Sequence, residues 1–319
     1  MRKLLLILFA AALMTSLPLV HAVEHEWTNK QGKTIKAEFV SATNEAVTIS
    51  MRGKNFEVKF TNLIPESVAL AKRLQGVVKE GLQVKNEGLV LGKPYSIPNL
   101  NLDMLWCKPG TFMMGSPEDE AEEFEEETQH EETLTKGFYL GKYEVTQRQW
   151  KKVMGKNPSH FKGATLPVEK VSWEDAIKFC EKLTQVEKEA GRLPKGYIYT
   201  LPTEAQWEYA CRAGTTTAYS FGDEITRRQA NFNQNVGKTT AVGTYRANAW
   251  GFHDMHGNVW ESCLDWDDPS GSVQTYRGGS WYYDDMHMRS AGRYWDESGF
   301  RGNDTGFRLS LQTATAKTE

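Results

Sequence analysis

One eight-residue stretch, Asp254-Met255-His256-Gly257-Asn258-Val259-Trp260-Glu261, constrains the fold of this chain more than any other. It sets two carboxylates seven residues apart with a glycine and a tryptophan between them, and Asp265-Trp266-Asp267-Asp268 follows. A hard cation such as calcium is held by carboxylates together with backbone carbonyls, and a glycine permits the sharp turn that brings carbonyls inward. The segment reads either as a metal-stapled loop or as a buried Trp260 anchor flanked by solvated acids. Spacing alone leaves both open.

The amino terminus speaks to compartment. Arg2 and Lys3 precede an apolar run from Leu4 to Met14 and a small-residue exit at Val20-His21-Ala22. This is the pattern of a secretory signal peptide, residues 1–22, cut after Ala22; the apolar run is short for a bilayer span, and an uncleaved anchor is the alternative. No cysteine follows the run to accept a lipid. The mature chain is therefore expected to be exported, periplasmic or extracellular, with no membrane span. A net charge of -3 gives no long-range pull toward nucleic acid. Four cysteines, Cys107, Cys180, Cys211 and Cys263, allow three pairings, and none stands in a CxxC or CxxH arrangement that suggests zinc.

Residues 24–76 alternate apolar and polar positions around Ile35, Ala37 and Phe39, then Val47, Ile49 and Met51, then Phe56, Val58 and Phe60. Period-two runs joined by turn residues predict a short antiparallel meander, with a helix near Pro65. The block from Glu26-Trp27 to Leu74, with Gln31-Gly32-Lys33, Ala37-Glu38-Phe39-Val40 and Asn62-Leu63, resembles the Sla1 homology domain 1. That resemblance implies a small SH3-like β-barrel that either docks a partner or acts as a spacer. Residues 77–98, punctuated by Gly81, Gly88 and Gly92, read as a linker.

Residues 99–312 form the larger domain, ahead of a tail at 313–319. Gly110 to Ser116 and Phe138 to Val145 read as strands, and the acidic run from Pro117 to Glu132 between them as a solvated excursion. Three helix starts are marked by a hydroxyl three residues ahead of a side chain able to bond back: Thr146 with Gln149, Ser172 with Asp175, and Thr203 with Gln206. Cys180 and Cys211 fall on the second and third helices. Beyond Gly214 short turns and aromatics alternate, with no long helix. The class is α+β, with abundant Trp, Tyr and Gly pointing to a loop-rich body held by aromatic anchors.

Glu144-Val145-Thr146, Pro167 to Trp173, Leu201 to Ala210, Gly257 to Glu261, Arg277 to Trp281 and Gly306-Phe307-Arg308 stand in an order that resembles the formylglycine-generating enzymes, or sulfatase-modifying factors. The resemblance implies a C-type-lectin-like fold with little regular structure and bound calcium. Carried over by residue, one calcium loop falls on the side chains of Asp254 and Glu261 and the carbonyls of Gly257 and Val259. A second begins at Asn231 and the Phe232 carbonyl, where the family loop continues with an Asp and this chain has Asn235-Val236-Gly237-Lys238. His253 and His256 have no evident third partner for iron or zinc, and hard oxygen ligands dominate their neighbourhood.

The family oxidises a sulfatase cysteine with oxygen, using two cysteines that hold copper(I). Counting from the Arg-Gly-Gly-Ser segment, those positions hold Tyr283 and Met288 here, and no cysteine follows Cys263. The expected disulfide partners of Cys180 and Cys211 are missing too. Copper is therefore not expected, and the domain is expected to bind a ligand without oxidation. The alternative is a formylglycine-generating or related oxidase with an atypical site at Met286, His287 and Met288. Ser280, Trp281, Tyr283, Arg289 and Arg293 offer stacking faces and forked donors to a protein segment, peptide or carbohydrate, with a sulfatase as one candidate partner.

Overall fold

The structure is a computed structural model describing residues 24–43, 45–51, 54–72, 74, 89–118, 120, 127–266 and 272–314. The expected signal peptide, most of the expected linker and residues 315–319 lie outside the described residues. The chain divides into two compact units, Met1–Glu87 and Gly88–Glu319.

In the first unit, β1 (Glu24–Thr28), β2 (Thr34–Ala42), β3 (Ala46–Met51) and β4 (Lys54–Lys59) pair in sequence order, all antiparallel. Alternation is the cause: Val47 and Ile49 are buried with Trp27, Ala37 and Leu63, while intervening positions face outward. The Trp27 indole donates to the Ala37 carbonyl at 3.0 Å, and helical turns follow over residues 65–72.

The second unit opens inside the expected linker. Tyr95–Ile97 forms β5, pairs with β6 (Leu102–Cys107), and buries Ile97 completely, so the linker ends before Tyr95. With β9 (Phe138–Gly141), β10 (Tyr197–Thr200) and β15 (Ser310–Thr313) they make a five-stranded antiparallel sheet in the order β10-β15-β9-β6-β5. β7 (Gly110–Met114) and β8 (His130–Leu134) form a hairpin.

A second sheet, in the order β13-β12-β11-β14, is built from β11 (Trp260–Trp266), β12 (Val273–Arg277), β13 (Arg293–Glu297) and β14 (Thr305–Gly306). Only its β11–β14 pair is parallel.

Three helices, α1 (Gln147–Met154), α2 (Trp173–Glu189) and α3 (Glu204–Arg212), start where the hydroxyls predict, each with a reciprocal capping box. α2 turns Ala176, Phe179, Cys180 and Leu183 inward, where Phe179 stacks on Trp150 at 5.5 Å beside Phe307. All four cysteines are free and buried. The acidic run is not wholly solvated: Glu127 is buried, and Arg289 pairs with both Glu120 and Glu127 at 2.8 Å.

Candidate functional site

The loop entering β11 turns through left-handed backbone at Asp254 (φ 55°), Gly257 (φ 87°) and Asn258 (φ 66°). At Gly257 a Cβ would lie 2.3 Å from the Asn231 carbonyl oxygen, so only glycine fits. Asn258 knits the site together. Its N–H donates to the Asn231 carbonyl at 2.9 Å, its Oδ1 accepts from the Thr240 N–H at 2.9 Å, and its Nδ2 donates to both Glu144 oxygens at 3.0 and 3.1 Å. Asn231 and Gly257 also form a β-bridge, so the two loops singled out for calcium lie side by side.

Glu261 is fully buried and already engaged. Its Oε2 accepts from the Trp207 indole at 2.8 Å and from Arg308 Nε at 2.5 Å, and its Oε1 accepts from Arg308 Nη2 at 2.6 Å. Arg308, equally buried, also donates to the carbonyls of Gly141 and His253. Asp254 Oδ2 accepts from the Gly243 N–H at 2.6 Å. Burial, reinforced by Asp254 and Glu261, raises the Glu144 carboxyl well above the usual range despite Arg308 and Asn258. Burial likewise pushes Asp254 up to about 6. Three acidic side chains thus face one guanidinium, an imbalance that spacing did not reveal. Glu144 was legible only as part of a motif.

Beside this centre, Asn231 and Thr239 are each 1% exposed, yet Asn231 Oδ1 and Thr239 Oγ1 have no hydrogen-bond partner. Asn235 Oδ1 has none either, although the Asn235 side chain hydrogen-bonds the Tyr245 phenol. The Phe232 carbonyl accepts from the Asn235 N–H, and the Phe232 ring packs with Met288 and Tyr219.

The histidines are occupied by the protein itself. His253 Nδ1 lies 2.8 Å from the Tyr245 carbonyl and His256 Nδ1 lies 2.7 Å from the Met288 carbonyl, so in each the ring N–H donates. His256 Nε2 accepts from the Ser220 N–H at 3.1 Å, and burial takes this ring down to about 4. Among the described residues no three His, Cys, Asp or Glu side chains gather closely enough to share an ion.

At the mouth, Tyr283 is half-buried against His287 at 4.8 Å and Trp260 at 5.8 Å between ring centres. Met288 is sealed inside, so close to Gly279 that a Cβ there would lie 1.9 Å from its methyl. His287 faces Asp284 at 2.6 Å. Trp281 meets Phe161 edge-on, and Tyr282, half exposed, extends the aromatic row.

Two expected ligand contacts turn inward. Arg289 is buried on Glu120, Glu127 and Ser116, and Arg293 forks onto Glu204 at 2.8 and 2.9 Å. Ser280, also buried, donates to Asp304. Trp281 is buried as well, so of the expected contact surface Tyr282 and, in part, Tyr283 remain toward solvent.

Residues 95–313 match the model of the sulfatase-modifying factor enzyme 1-like domain. The chaperone protein LppX of Paenibacillus barcinonensis is 35% identical, with 40% of this chain and 62% of that protein covered. The formylglycine-generating enzyme of Streptomyces coelicolor is 37% identical over 33% of each chain. This chain thus spans less than two thirds of those relatives' lengths. The solved structure of PvdO from Pseudomonas aeruginosa aligns with a TM-score of 0.61 at 25% identity, covering 70% of this chain and 99% of that one. Treponema denticola variable protein 1 gives 0.59 at 26% identity, covering 68% and 98%. The sheets, few helices and these neighbours agree with a C-type-lectin-like fold. The chain belongs to the sulfatase-modifying factor enzyme 1-like domain family.

Proposed function

We propose that this protein is an exported member of its family that binds a protein segment, peptide or carbohydrate and carries out no copper oxidation. One observation carries the reading: the two positions that hold copper thiolates in formylglycine-generating relatives are Tyr283 and Met288. Copper(I) needs soft ligands, and a phenol beside a thioether packed under Gly279 does not replace a thiolate pair. Purified protein given a sulfatase-type cysteine peptide, copper and oxygen is expected to form no aldehyde, read by mass spectrometry. Turnover would overturn the reading.

Calcium is the second part of the proposal. Glu144, Asp254 and Glu261, when ionised, exceed Arg308 by two negative charges, the charge of one divalent ion. Asp254 and the carbonyls of Gly257 and Val259 would hold it, with Glu261 sharing its charge with Arg308. The ion would supply compensation for Glu144 and Asp254, which burial otherwise drives toward protonation.

A further inference from the structure

The mouth carries the opposite charge to the one its arginines suggest in sequence. Arg289 is taken by Glu120 and Glu127, Arg293 by Glu204, and Arg301 by Asp175 at 2.8 Å. Among the described residues no arginine or lysine pairs with Asp296 or Asp304. Both of these carboxylates adjoin the aromatic row. The Tyr294 phenol donates to Asp296 at 2.9 Å, and its ring lies 6.3 Å from that of Tyr283. Ser280 Oγ donates to Asp304 at 3.2 Å and accepts from the Tyr282 N–H at 3.4 Å. Burial, and after it the charges of Asp304 and Asp296, raise the Tyr283 phenol, so both carboxylates act on one ring. Trp260, 1% exposed, packs on Tyr283, Tyr294 and His287, and its indole N–H has no acceptor.

Uncompensated carboxylates beside aromatic faces attract a cation and repel a sulfate or an acidic segment. The adjacent strand favours a peptide over a small free cation. β13 is the edge of its sheet. The Ser298 N–H donates to the Ser272 carbonyl, which sets Gln274–Asp296 and Tyr276–Tyr294 as the hydrogen-bonded pairs and turns the N–H and C=O of Trp295 outward. Such an edge pairs with an added strand.

We propose that the mouth takes an extended peptide segment bearing lysine or arginine, its cation drawn by Asp296, Asp304 and the rings of Tyr282 and Tyr283, and its backbone laid along β13; this rests on the ligand-binding reading given above. The orphaned Trp260 donor suits a carbonyl of the same segment.

Fluorescence anisotropy of the full chain with a labelled peptide of alternating glycine and lysine tests it, beside the same peptide acetylated on every lysine and one with glutamate in place of lysine. The lysine peptide is expected to bind about tenfold more tightly than either. Asp296→Asn and Asp304→Asn are each expected to weaken it about fivefold, and Tyr282→Ala about threefold. Tyr282 is 52% exposed, so its truncation leaves the fold standing. Equal binding of the acetylated peptide overturns the proposal, as does affinity unchanged in all three variants or spermidine competing as well as the lysine peptide. Binding of the glutamate peptide alone overturns the cationic assignment and leaves the ligand-binding reading intact. Binding of none of the three peptides overturns the proposal, whereas aldehyde formation counts only against the reading without copper chemistry.

Discussion

Arg308 shows how much one side chain can decide. It is fully buried, forks onto Glu261, and is the guanidinium that offsets Glu144 and Asp254. Removing one partner of a buried pair leaves the other charged and unsolvated, which usually costs about 3–5 kcal/mol. Arg308→Met is therefore expected to lose about that much in urea unfolding at pH 7. A loss below about 1 kcal/mol would mean that water or another cation already balances these carboxylates.

Among the elements, α3 and β13 are joined through Glu204, whose carboxylate receives Arg293 and lies 3.7 Å from Arg277. Burial alone would raise this carboxyl, but Arg293 and Arg277 outweigh it and hold it below its ordinary value. A group so lowered contributes stability that is complete above the unfolded-state value of about 4.3 and is lost as pH falls through the folded one. Glu204→Gln is expected to cost about 2 kcal/mol at pH 7, and the gap from wild type should narrow in unfolding curves taken progressively below pH 4. A gap constant with pH would contradict the coupling. The capping boxes at Thr146, Ser172 and Thr203 were legible in the sequence because each partner lies three residues away. The turn at Gly257 was legible for the same local reason. Arg289 was not: the glutamates that draw it inward lie 169 and 162 positions earlier, and an arginine meant for a ligand looks the same in sequence as one meant for the core. β5 was hidden by its short length, since three residues carry no period.

At the level of the whole molecule, the loops near Asn231 and Asp254 are joined to Glu144 and to the segment after Gly278 by a handful of backbone and amide contacts. A divalent ion there would act on the entire second unit, because Asn258 reaches Glu144, next to the five-stranded sheet, and Glu261 reaches α3. Chelation of calcium is expected to lower the Tm of the full chain by about 5 °C, with recovery on adding calcium back; an unchanged melting curve would remove calcium from the account. The sheet order carries a consequence of its own. β15 lies between β9 and β10, so the middle of the sheet stays open until residues 310–313 have left the ribosome. The five-stranded sheet therefore gains this inner strand last, and a change in residues 310–313 would leave β9 and β10 without the strand that joins them.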